Sequence, residues 1–79
     1  MGIGINVLIF GQLTEITGKN ELLISDASST DELNKTLKTM FPELQKATFS
    51  MALNRKIVQQ NTLLKDEDEV CLLPPFSGV

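Results

Sequence analysis

The chain has 79 residues, enough for one small domain that buries about 60% of its unfolded surface. With 42% hydrophobic and 22% charged residues and a net charge of −3, it is globular in composition and lacks the basic surplus that nucleic acid or an anionic membrane would need. A single cysteine and no histidine exclude an internal disulfide and any ordinary zinc ligand set. No basic flank with an apolar stretch opens the sequence, and its apolar runs are well short of the ~20 residues of a membrane helix, so a cytoplasmic protein is expected.

Residues 3–10 are rich in β-branched side chains and predict a first strand. Period two puts Ile3, Ile5, Val7 and Ile9 on one face and Asn6, Leu8 and Phe10 on the other. A short helical turn should follow over 11–18, with Leu13 and Ile16 as its apolar contacts. Gly18-Lys19-Asn20 stops it. Residues 21–25 read as a second strand.

The main helix should start at Ser29. Ser29 and Glu32 have the spacing of a capping box, and Asp31 adds negative charge to the first turn. Leu33, Leu37, Met40, Phe41 and Leu44 predict one apolar stripe, and Pro42 should end the helix near Met40 or Phe41. Residues 49–53 predict a third strand, 54–56 a turn and 57–58 a short fourth strand. Residues 61–64 form a loop or single turn. The charged run 65–69 reads as a solvated turn, and 69–73 as the closing strand.

One amphipathic helix covers one face of one sheet, which makes the fold class α+β. The arrangement favoured is the β-grasp (ubiquitin-like) fold: a mixed sheet of four to five strands, first and last central and parallel, with one main helix on one face. The body spans 1–73. The uncovered face would carry Leu8, Phe10, Ile57 and Leu73 as an apolar patch, a common mark of a protein interface.

Pro74 and Pro75 can neither extend a ladder nor continue a helix. Residues 74–79 therefore predict an extended C-terminal tail, reaching at most roughly 20 Å, with a free carboxylate as its chemical handle. Cys71 lacks a histidine base or a CxxC partner and reads as an ordinary strand residue.

Three segments carry a family resemblance. Phe10-Gly11-Gln12-Leu13-Thr14-Glu15-Ile16-Thr17-Gly18 resembles the first-strand and short-helix signature of the molybdopterin synthase small subunit. Leu64-Lys65-Asp66-Glu67-Asp68-Glu69-Val70 resembles its acidic turn, and Leu73-Pro74-Pro75-Phe76-Ser77-Gly78 its Pro-Pro tail. The resemblance implies a sulfur carrier that binds no cofactor itself. A ubiquitin-activating-like adenylyltransferase would use ATP to adenylate the terminal carboxylate, which then becomes a thiocarboxylate. The tail would enter the large synthase subunit, in a heterotetramer, and donate sulfur to cyclic pyranopterin monophosphate in molybdenum cofactor biosynthesis. Gly78 and Val79 would be the reactive end. Phe10, Ile57, Leu73, Pro74, Pro75, Phe76 and Ser77 would contact partners. The chain would supply no acid, base or metal and would not be an enzyme alone.

Three departures from the family pattern stand out. Val79 occupies the place of a second glycine, and a residue branched at Cβ should slow charging there. It is compatible with an introduced change, with a partner adapted to it, or with trimming to Gly78. Thr14 stands where arginine is frequent, and Glu67 where glycine is usual. Two alternatives remain: a ThiS-like sulfur carrier for thiamine or another thio-compound, and a β-grasp interaction module that no longer conjugates.

Overall fold

The computed structural model describes residues 4–25 and 27–74. Five strands form one sheet: β1 Gly4–Ile9, β2 Glu21–Ser25, β3 Ser50–Leu53, β4 Lys56–Val58 and β5 Glu69–Leu73. Two α-helices, α1 Leu13–Thr17 and α2 Thr30–Met40, interrupt them, and a 3-10 turn over Pro42–Lys46 follows α2. The sheet order is β2-β1-β5-β3-β4. β1 and β5 pair in parallel, and the β1–β2, β3–β5 and β3–β4 pairs are antiparallel. This is the expected β-grasp arrangement, with the first strand beside the last inside the sheet.

Alternation sorts the two faces. Ile5, Val7 and Ile9 of β1, Ile24 of β2, and Val70 and Leu72 of β5 are buried. Leu33 and Leu37 of α2 and Leu44 of the 3-10 turn join them in the same core. Ile3 lies outside the described residues. Ile16 is half-buried and packs on the core beside fully enclosed Leu13.

Ser29 caps α2 as expected, its Oγ accepting from Glu32 N–H at 3.3 Å. The reciprocal half of the box is shifted by one residue: the Glu32 carboxylate accepts from Ser28 N–H at 2.9 Å and from Ser28 Oγ at 2.7 Å. Those bonds hold the Glu32 carboxyl below its ordinary pKa, because they favour its charged form.

The expected helix stripe needs one correction. Met40 is 49% exposed. The chain leaves helical geometry at Phe41 (φ −128°, ψ 84°), so the 3.6-residue period stops there. Leu44 still reaches the core because the 3-10 turn carries it in, with Leu44 N–H donating to Phe41 O at 2.8 Å. Residues 61–64 are not a free loop. Thr30 N–H donates to Thr62 O, Leu64 N–H donates to Ser28 O, and Leu63 bridges Ser29, which ties this segment to the start of α2.

The charged run 65–69 also differs from a plain solvated turn. Asp68 is buried. Its Oδ2 accepts from Lys65 N–H at 2.7 Å and its Oδ1 from Asn54 Nδ2 at 3.1 Å. Asn54 Oδ1 in turn accepts from Glu69 N–H at 3.0 Å. Asp66 Oδ1 accepts from Gly4 N–H at 2.8 Å. The acidic side chains thus fasten the turn to the start of β1 and to the β3–β4 hairpin. Glu67 sits at φ +71°, in the left-handed region where glycine is favoured.

Candidate functional site

The face of the sheet turned away from α2 is built by register. Leu8 of β1 lies opposite Cys71 of β5. Cys71 lies opposite Ala52 of β3, and Ala52 opposite Ile57 of β4. One apolar row therefore crosses four strands, about 14 Å at the usual strand spacing. Ile57 ends it and is 54% exposed, while Leu8 and Cys71 are half-buried. Ala52 is small and walled by its neighbours, so it is buried although it lies on this outer face. Leu73 is half-buried opposite Ser50, and Phe10, just past the end of β1, is 44% exposed.

Of the residues expected to contact partners, the structure brings Phe10, Ile57, Leu73 and Pro74 to this face and its rim. Pro75, Phe76, Ser77, Gly78 and Val79 lie outside the described residues. Leu23, also strongly exposed, was missing from the expected patch. It stands opposite Asn6 on β2, and that register was needed to place it on the outer face.

Gly11, expected as the opening of a helical turn, also lies against the base of the tail. A Cβ on Gly11 would lie 2.7 Å from Pro74 Cγ. No local signal joins two residues so far apart in sequence; only the parallel pairing of β1 with β5 brings them together.

The electrostatics of the face are plain. Burial pushes the Cys71 thiol above its ordinary pKa, and the Glu69 carboxylate adds to that shift. A thiol so placed stays protonated at neutral pH, which matches the reading of Cys71 as a packing residue. Among the described residues, no group of three His, Cys, Asp or Glu side chains is arranged to hold a metal ion. Among the same residues, no helix is long and apolar enough to cross a membrane. The face presents an apolar row, flanked by the Glu21 and Glu69 carboxylates, next to the point where the chain leaves β5.

Comparisons with known proteins agree with this geometry. A molybdopterin synthase sulfur carrier subunit of Chlamydomonas reinhardtii is 36% identical, covering 94% of this chain and 96% of its own. The protein of that name from Mycobacterium tuberculosis is 31% identical, with 96% of this chain and 98% of its own covered. In the solved complex of subunits 1 and 2 of molybdopterin-converting factor from Helicobacter pylori, one chain is 28% identical with a TM-score of 0.74, covering 98% of this chain and 100% of that one. A putative molybdopterin converting factor subunit 1 from Pyrococcus furiosus superposes with a TM-score of 0.86 at 20% identity, covering 92% of this chain and 98% of its own, and supports the fold alone. Residues 7–78 match the ThiS family, and with that span and these relatives the chain belongs to the ThiS family of ubiquitin-like sulfur carriers.

Proposed function

We propose that this chain is the sulfur-carrying small subunit of a molybdopterin synthase, acting in the cytoplasm within a heterotetramer of two small and two large subunits. One observation carries the reading: β5 is held between β1 and β3 and ends at Leu73, with Pro74 next, on the rim of an exposed apolar face. A strand bonded on both sides makes a rigid mount for whatever follows it. The outer face would dock on the large subunit, and the segment beginning Pro74-Pro75-Phe76-Ser77 would reach that subunit's active site.

The chemistry follows from the terminal group. A free α-carboxylate has a pKa of about 3.5 and is a poor electrophile when ionised. In the activating adenylyltransferase it would attack the α-phosphorus of ATP and release pyrophosphate. Hydrosulfide would then add to the acyl carbon and expel AMP, losing its proton to solvent and leaving the thiocarboxylate. ATP belongs to the activating enzyme, and the sulfur acceptor, cyclic pyranopterin monophosphate, to the large subunit. No side chain of this chain takes part as an acid, base or metal ligand.

The test is incubation with the activating enzyme, ATP and sulfide, followed by intact mass and capture on immobilised large subunit. The expected product carries sulfur in place of one oxygen and is retained by the large subunit. Charging without retention would favour a carrier serving thiamine or another thio-compound. Absence of both would leave a non-conjugating interaction module.

A further inference from the structure

We propose that Gly11 is a positioning residue for the segment that follows β5: its bare Cα seats the Pro74 ring and sets the direction in which the chain departs. Gly11 comes two residues after β1 and has φ +60°. A Cβ there would meet Pro74 Cγ at 2.7 Å, Cδ at 3.4 Å and Cβ at 3.8 Å. The first of these is closer than any side chain can be accommodated without the ring or the loop moving. The last described bond of the β1–β5 pairing is Phe10 N–H to Leu72 O at 3.2 Å. Past it, the ring-on-glycine contact takes over.

The seat is itself held. The Gly11 carbonyl accepts from Thr14 N–H at 3.1 Å and from Thr14 Oγ1 at 2.8 Å. A proline ring contains its own backbone N and Cα, and its φ is fixed near −65°. Holding the ring therefore holds the backbone, and a fixed position becomes a fixed heading. Gly18 provides the internal comparison. It too lies in the left-handed region, at φ +73°, but nothing lies within 4 Å of where its Cβ would be. Replacing Gly18 by alanine costs the backbone strain alone, whereas replacing Gly11 costs the strain and the contact.

The consequence for charging rests on the sulfur-carrier reading; the contact does not. The experiment compares Gly11→Ala, Gly18→Ala, Pro74→Ala and the Gly11→Ala/Pro74→Ala double variant, by thermal unfolding and by kinetics with the activating enzyme, ATP and sulfide. Both glycine variants should melt lower than the parent, Gly11→Ala further, and Pro74→Ala should recover that extra loss by removing Cγ and Cδ. Gly11→Ala should lower kcat by about tenfold or more with KM changed less than about twofold, because the body still docks while the tip is misdirected. Gly18→Ala should be charged like the parent. If Gly11→Ala tracks Gly18→Ala in melting and in kcat, the proposal is overturned. A parent chain that is never charged would instead defeat the sulfur-carrier reading, and the melting cycle would still decide whether Gly11 seats Pro74.

Discussion

Replacing Asp68 with alanine should destabilise the domain by about 2 kcal/mol. Asp68 accepts two hydrogen bonds, from Lys65 N–H and Asn54 Nδ2, and is only 8% exposed. Bonds to a charged acceptor contribute about 1.5–3 kcal/mol each. The Lys65 N–H lies in a surface turn and can turn to water once the carboxylate is gone, so the bond to Asn54 alone is counted, about 2 kcal/mol. For a domain of this size that corresponds to a fall in Tm of about 8–16 °C. The same bonds hold the Asp68 carboxyl below the ordinary aspartate value, the Lys65 N–H contributing most and Asn54 next. The sign follows from linkage. The folded form binds its proton more weakly than the unfolded one, so the stabilisation is complete well above the unfolded value of about 3.9 and is lost as pH falls below it. The Tm gap between the parent and Asp68→Asn should therefore be widest at neutral pH and shrink below about pH 5. Calorimetry across that range checks it. A gap that keeps one size at every pH, or no gap at pH 7, would show that the carboxylate does not lock this turn.

The remaining predictions concern strain, docking and the reactive end. Glu67→Gly should raise stability by about 0.5–1 kcal/mol, seen as a higher denaturation midpoint with an unchanged m-value, because φ +71° suits a residue without Cβ. A lower midpoint would mean that the Glu67 side chain makes a compensating contact. Ile57→Lys, on an exposed position at the end of the apolar row, should leave Tm within about 2 °C of the parent yet weaken capture by the large subunit at least about tenfold, read by titration calorimetry. Unchanged affinity would remove Ile57 from the docking surface. Val79→Gly should be thiocarboxylated faster than the parent under identical conditions, measured by intact mass over time. Equal progress curves would show that the branched side chain is no obstacle.

Much of this molecule was legible before folding, because its signals are local. The first strand, the Ser29 cap and the stop before Pro42 follow from neighbouring residues: a β-branched run, a hydroxyl three positions before a glutamate, and a ring that cannot continue a helix. Period two also divided Ile5, Val7 and Ile9 from Leu8 and Phe10, so both the core and the bare face were visible in outline. Met40 broke the pattern because the helix ended under it. Asp68 was misjudged because acidic residues in a turn usually face water, and its partner Asn54 comes from a different hairpin.

The amino-acid order by itself determined the elements, the class of fold and the inner and outer sides of each strand, since propensity and alternation act over a few residues. Tertiary structure decided the register between neighbouring strands, and with that the row from Leu8 through Cys71 and Ala52 to Ile57. It also decided the lock at Asp68 and the meeting of Gly11 with Pro74. The Gly11–Pro74 meeting depends on bringing together segments from opposite ends of the chain, and such closure is set by the packing of the whole core, not by any short stretch within it.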